Sequence, residues 1–470
     1  AREMARRPRV APRALLLRRA SLLAMLLQVQ VLLLLLWPAA LALAAGGRGL
    51  RARGTMPGGQ ALVCAERPTQ LHLAFVDGPS RMALSWTNRC VREQDSGLLP
   101  PDDRSAALGP SAALRQSGRE ELRPGPLSLG AGSPDNASFA ARLWPKANAT
   151  AARLFEAQTR RYFLSYHHEV VFDALEPGQE YCYSIAGHDQ VGDCFVTQDT
   201  TGASFSFASL GDMGTNRSRG TIESISRHDE FAFVMHGGDV GYGDDLGVPD
   251  FIHERPAHLE RGPYGYEIIY DDFMDKIQPI ASRRPYMTVP GNHDVSCDIL
   301  TDLDCDEGQR NFTAYRTRFR MPSAESRASS HRMWYSFRFK TTQFICIDTE
   351  TDYPWAPTQR WSGPVGGRGG DFGDQLTWLR SELARASDDP SLDWIIVVGH
   401  RQLYGTKLFD FPPLTPYVMR HYFEPLFLEF GVDLYIGAHI HYYERTGPVK
   451  HGRKCRTGAN GEEREKCPVH

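Results

Sequence analysis

The sequence has no excess of either charge: 53 basic side chains face 56 acidic ones, for a formal net charge of −3. That excludes the electrostatic footprint of a chain built around nucleic acid or an anionic membrane surface. It has no Cys-x-x-Cys pair, which excludes zinc-finger-type sites. It is not poor in apolar residues, at 41% hydrophobic, and a wholly disordered chain is excluded. Its 43 glycines and 31 prolines cluster in loops, so it is neither collagen-like nor a linker protein. What remains is a 470-residue chain, long enough for about three domains at ~150 residues each.

Residues 1–45 read as a targeting segment and not as part of a fold. Arg6, Arg7, Arg9, Arg13, Arg18 and Arg19 form a basic start, Leu22 to Trp37 is apolar but for Gln28 and Gln30, and Ala42-Leu43-Ala44 offers small residues for cleavage. A secretory signal peptide is expected. The alternative is a signal anchor, because Leu22 to Ala45 is long enough to span a bilayer. Nine cysteines agree with an oxidising lumen. Eight form neighbouring couples in sequence: Cys64 with Cys90, Cys182 with Cys194, Cys297 with Cys305, and Cys455 with Cys467. Spacing alone leaves their connectivity open. Cys346 lies in the run Phe344-Ile345-Cys346-Ile347 and is expected to be a buried free thiol. Asn136, Asn148, Asn216 and Asn311 each head a glycosylation triplet. The chain is therefore expected to be secreted or lumenal, in a vacuole- or lysosome-like compartment, unless an uncleaved leader anchors it in a membrane.

From Pro68 to about residue 200 short alternating runs predict an antiparallel β-sandwich over 64–200, among them Leu71, Leu73 and Phe75, then Met82, Leu84 and Trp86. Residues 92–155 are rich in Ser, Gly, Pro and Ala and read as a surface insertion. After Thr200 the rhythm changes. Strands are expected at Phe205 to Leu210, Phe231 to Met235, Tyr286 to Val289, Phe344 to Ile347, Trp394 to Val398 and Leu434 to Ile436. Helical patterns fall at Gly220 to Ser226, Asp374 to Ala386 and Tyr417 to Glu429. Alternating strands and helices predict a layered α/β domain over 203–470. A ligand-type residue recurs just beyond each strand's carboxyl end, the edge where open α/β sheets bind ligands.

Those residues are Asp212, Asp239, Tyr242, Asn292, His400, His439 and His441. Each alone is weak, since an Asp after a strand is usually a turn former. The ordered set is specific: Asp212-Met213-Gly214, Gly238-Asp239-Val240-Gly241-Tyr242, Gly291-Asn292-His293-Asp294, Val397-Val398-Gly399-His400 and His439-Ile440-His441.

These five blocks resemble those of the purple acid phosphatases, within the metallophosphoesterase superfamily. The resemblance covers about Pro68 to the end and implies an α/β metallophosphoesterase-type sandwich, mixed sheets flanked by helices, preceded by a fibronectin-type-III-like β-sandwich domain. Most metallophosphoesterases place a His where this chain has Gly214; Tyr242 offers a phenolate in its stead, a hard donor that favours ferric iron. The resemblance implies iron(III) held by Asp212, Asp239, Tyr242 and His441. It implies a second divalent metal, zinc, manganese or iron(II), held by Asp239, Asn292, His400 and His439. Five metal charges less two aspartates, a tyrosinate and a hydroxide leave a slightly positive site for a phosphate ester. The implied reaction is acid phosphatase hydrolysis of phosphate monoesters by a metal-activated hydroxide. His293 is the implied catalytic residue, binding phosphate and protonating the leaving oxygen. Asp294 is expected to orient His293, and Arg401 to contact phosphate.

The chain departs from the pattern at Ala438, where relatives carry Gly before the first His of the last block. It also ends at Pro468-Val469-His470, where relatives continue, and so reads as truncated. Two alternatives stay open: a phosphodiesterase or nucleotide pyrophosphatase on the same centre, and a non-enzymatic secreted binding protein. No nucleic-acid scaffold is expected as a partner.

Overall fold

The computed structural model describes residues 62–65, 67–92 and 140–470, apart from 203, 216–217, 229, 245–262, 298–304, 329–330, 360–368, 407–413 and 456–466. The described residues belong to one compact unit, Pro57–His470. The expected leader and residues 93–139 of the expected insertion lie outside them. Among the described residues no helix is long and apolar enough to cross a membrane.

The first part of the unit consists of two four-stranded antiparallel sheets. One runs Thr69–Phe75, Met82–Asn88, Ser165–Phe172, Gln158–Tyr162; the other runs His188–Val196, Glu180–Ile185, Ala140–Pro145, Arg153–Glu156. Phe172 of the first sheet meets Tyr183 and Phe195 of the second, with ring centroids 6.2 and 6.3 Å apart. Two of these strands, Ala140–Pro145 and Arg153–Glu156, lie inside the stretch 92–155 expected as an insertion. Their pairing with each other and with remote Glu180–Ile185 overrides a composition rich in Ala and Pro.

The strand Thr69–Phe75 alternates apolar and polar residues, yet both its faces are buried. Its outer face is covered by the second part of the unit. Phe75 packs on Phe233, Phe337 and Phe339 at 5.5, 5.3 and 5.5 Å, and Gln70 bonds Gln278 in the helix Pro263–Ala281.

The second part layers two further sheets. A parallel sheet joins Ala208–Leu210, Val234–His236 and Tyr286–Thr288. A mixed sheet runs Tyr335–Phe339, Thr342–Cys346, Trp394–Arg401, Leu434–Ala438, antiparallel at its first pair and parallel thereafter. Phe207, Phe233, Phe337 and Phe344 pack the sheets together, with Phe233 5.3 Å from Phe344 and Phe337 5.0 Å from it. Burying such rings contributes about 2 kcal/mol each by apolar transfer.

The helix expected at Asp374 to Ala386 is Gln375–Ser387; Asp374 caps it, its carboxylate accepting from Thr377 N–H at 3.0 Å. The helix expected over Tyr417 to Glu429 is two, Thr415–Tyr422 and Glu424–Glu429. The break falls just before Pro425, which has no N–H to continue the first helix.

Three disulfides join Cys182–Cys194, Cys297–Cys305 and Cys455–Cys467. Cys90 is also disulfide-bonded, and Cys64 lies opposite it in the ladder of Leu62–Cys64 with Cys90–Arg92. Cys346 is a buried free thiol. Asn148 is exposed, whereas the Asn311 side chain is engaged with the main chain of Gly370, at 3.2 and 2.9 Å.

Candidate metal centre

The two parallel arrangements of strands present their carboxyl ends at a common edge. Asp212 follows the strand Ala208–Leu210, Asp239 follows Val234–His236, and Asn292 follows Tyr286–Thr288. His400 sits in Trp394–Arg401, and His439 follows Leu434–Ala438. A register shift between Val398 and Arg401 interrupts the ladder there. In an unbroken strand successive side chains point to opposite faces. The irregularity lets both His400 and Arg401 serve the same site.

Asp212, Asp239, Tyr242 and His439 have φ of 54°, 52°, 50° and 70°. A non-glycine residue there is strained, and such strain gathers at functional sites. The surroundings hold it. Asp212 N–H donates to Gly238 O at 3.0 Å and Gly214 N–H to Val240 O at 3.0 Å, joining the first two loops. His439 N–H donates to the Asp212 carboxylate at 2.7 Å, and His293 N–H donates to Asp239 Oδ1 at 2.8 Å. Gly291 is obligatory: a Cβ there would lie 2.3 Å from Asp239 N.

The side chains converge in two groups that share Asp239. The Tyr242 hydroxyl lies 3.4 Å from Asp212 Oδ1, 3.4 Å from Asp239 Oδ2 and 3.1 Å from His441 Nε2. His400 Nε2 lies 3.2 Å each from Asp239 Oδ2, Asn292 Oδ1 and His439 Nδ1. His400 Nδ1 is 2.8 Å from the Gly237 carbonyl, so Nδ1 carries a proton and Nε2 is the ring atom turned inward. Among the described residues, Asp212, Asp239, His400 and His439 offer ligand atoms all within 4.8 Å of one another, a group able to hold a metal ion. Carboxylate, phenol, amide oxygen and imidazole are a fitting donor set for hard and borderline ions.

Burial disfavours charge on Asp239, but His400 and His293 outweigh it and hold the carboxyl well below its ordinary range. Burial likewise opposes charge on His400, and the Asp239 carboxylate overcomes this, lifting the imidazole to about 9.

All seven expected ligands are thus brought together. Gly214, which stands where most metallophosphoesterases place a His, faces Tyr242: a Cβ there would lie 3.2 Å from the tyrosine ring. The methyl of Ala438 occupies space left by two glycines; a Cβ on Gly211 or Gly237 would lie 2.4 or 3.0 Å from it.

One expectation is corrected. Asp294 does not touch His293. It is fully buried and ties the loops, accepting from Gly291 N–H at 2.9 Å, Val240 N–H at 3.2 Å and the Tyr270 hydroxyl at 3.0 Å. The carboxylate on His293 is Asp244, whose Oδ2 is 2.8 Å from His293 Nδ1. The His293 ring lies along Tyr242, with centroids 4.4 Å apart, and its Nε2 is 4.0 Å from Asp239 Oδ2. Arg401 lies against the Asn292 and His439 side chains. It is 2% exposed and forks onto Glu350, Nε to Oε1 at 2.7 Å and Nη2 to Oε2 at 3.1 Å. Neither Asp244 nor Glu350 was expected. Asp244 had a signal, as a second carboxylate in the loop that carries Tyr242; Glu350 had none.

Residues 191–443 match the calcineurin-like phosphoesterase family. The chain belongs to that family. Among relatives within it, an acid phosphatase of Aspergillus ficuum is 30% identical over 390 residues, covering 63% of this chain and 61% of that protein. Acid phosphatase A of Cryphonectria parasitica is 35% identical over 246 residues, 47% of each chain. A purple acid phosphatase from yellow lupin seeds has a similar fold, with a TM-score of 0.56 at 19% identity, covering 86% of this chain and 64% of that one. This phosphoesterase chain therefore spans between about half and two-thirds of the length of these relatives.

Proposed function

We propose that this phosphoesterase is a binuclear acid phosphatase of the purple type, hydrolysing phosphate monoesters. The observation that carries the reading is the shared carboxylate. Asp239 Oδ2 lies within 3.4 Å of the Tyr242 hydroxyl on one side and 3.2 Å of His400 Nε2 on the other. Asp212, Asp239, Tyr242 and His441 would hold iron(III), because the phenol is a hard anionic donor. Asp239, Asn292, His400 and His439 would hold a divalent ion, zinc, manganese or iron(II). When bound, such a pair supplies Lewis acidity toward phosphoryl oxygens and a hydroxide nucleophile well below the pKa of bulk water. The rest falls to the protein. Asp244 fixes the His293 ring through Nδ1, leaving Nε2 to bind the phosphate and to give a proton to the departing oxygen.

The relatives' names and the site chemistry support phosphate esters as substrates. The two antiparallel sheets before residue 200 support a fibronectin-type-III-like domain, and the disulfides support a secretory route. The deciding experiment is metal analysis of the purified protein with its visible spectrum, alongside turnover of p-nitrophenyl phosphate and bis-p-nitrophenyl phosphate. Bound iron, a tyrosinate charge-transfer band and preference for the monoester are expected. Preference for the diester would reassign the activity, and absence of both metal and turnover would make the chain a binding protein.

A further inference from the structure

We infer that Arg401, braced by Glu350, is a positioning residue that sets the second-metal side of the site by holding the Asn292 amide with its oxygen facing inward. This rests on the metal assignment proposed above. An amide can present oxygen or nitrogen to a neighbouring ion, and only the oxygen is a useful donor. Nη2 of Arg401 lies 3.2 Å from Asn292 Oδ1 and donates to it. A flipped amide would set NH2 against a guanidinium, donor against donor. The same oxygen is 3.2 Å from His400 Nε2, so one lone pair receives the arginine while the other faces the imidazole cluster.

Arg401 is itself immobilised. Its fork on Glu350 is fully buried, Glu350 being 0% exposed. Its N–H donates to the Thr349 hydroxyl at 3.0 Å, and its carbonyl accepts from the Tyr435 hydroxyl at 2.5 Å. Nη1 also reaches His439 Nε2 at 3.1 Å. That contact requires an unprotonated Nε2, so it is excluded once His439 donates through Nδ1; the Asn292 contact persists. Residues that orient metal ligands typically change metal affinity 10–100-fold when lost. The two ligands that Arg401 reaches, Asn292 and His439, both belong to the second side.

The test is zinc affinity of the holoprotein's divalent site by chelator competition, with the tyrosinate band as an independent readout of the first site. Arg401→Lys keeps a charge for Glu350 but loses the fork; zinc affinity is expected to fall roughly 10–100-fold with the band retained. If that variant does not fold, Arg401→Met with Glu350→Met removes both buried charges together, a replacement that cores tolerate. The same selective loss of zinc is expected there. Zinc affinity within about twofold of wild type, or loss of band and zinc together with a lowered Tm, overturns the inference. A wild-type protein that binds none of zinc, manganese or iron(II) in a second site overturns the metal assignment as well.

Discussion

The Tyr242 hydroxyl and His441 Nε2 lie 3.1 Å apart although 199 residues separate them in sequence. Tyr242 is held by the second loop of the parallel sheet, and His441 stands just beyond the last strand of the mixed sheet. His441 is 63% exposed at its side chain, so this pair forms the open rim of the site while Asp239 forms its floor. Replacing Tyr242 by Phe keeps the ring over Gly214 and removes only the oxygen. The visible charge-transfer band should vanish. Turnover should fall at least about 100-fold, beyond what is typical for a residue that only orients a ligand. Absorption spectra and rates on p-nitrophenyl phosphate check this, and an unchanged band would exclude the phenol as a donor.

Asp244 and His293 make a second prediction, about the departing group. An alkoxide must be protonated as it leaves, whereas a nitrophenolate departs without help. Asp244→Asn retains a hydrogen bond to the ring but removes the charge that favours a proton on it. Rates on an alkyl phosphate should fall roughly tenfold or more, and rates on p-nitrophenyl phosphate much less. Equal losses on both substrates would mean that the pair serves phosphate binding and not proton delivery.

The converging side chains were legible because each falls beside a strand's end, most of them next to a glycine, and such local signatures survive in a linear reading. What stayed hidden was pairing at a distance. His293 meets Asp244 across 49 residues and Arg401 meets Glu350 across 51; nothing near Asp294 or Arg401 in sequence reveals that closer partners exist. The helix Pro263–Ala281 could have been read, since Tyr266, Tyr270, Phe273, Met274, Ile277, Ile280 and Ala281 are buried at spacings of three and four, though Pro279 obscures the pattern. The strands at 140–156 could not, because their formation depends on pairing with Glu180–Ile185.

Ala438 and the glycines facing it make a third prediction. Gly211→Ala would put a methyl 2.4 Å from the Ala438 methyl, next to the Asp212 loop. Overpacking of this kind costs about 1–3 kcal/mol. Loss of stability and of metal content is expected, and Ala438→Gly in the same chain should restore both, since the other nearest atoms to the new methyl are 3.7 Å away. Thermal melts and metal analysis of the two single variants and the double check it; a double variant as impaired as Gly211→Ala would locate the strain elsewhere.

His167 makes the last prediction, about acid stability. It lies in the strand Ser165–Phe172 against the phosphoesterase part, with Nδ1 3.1 Å from the Thr87 hydroxyl. Burial pushes its imidazole down to about 3, helped by Arg318 and His168 and opposed by Asp271. An unfolded His titrates near 6.5. The neutral ring's contribution is therefore present above pH 6.5 and is lost as the pH falls from there toward 3. Asp275, which burial lifts to about 6, acts with the opposite sign, gaining folded-state preference as it protonates. It is unchanged in a His167→Asn variant, so the difference between the two proteins isolates the imidazole. Between pH 7 and pH 5 the wild type should lose about 2 kcal/mol more unfolding free energy than the variant. Urea unfolding of both proteins at the two pH values measures it, and parallel losses would show that protonation of His167 does not oppose folding.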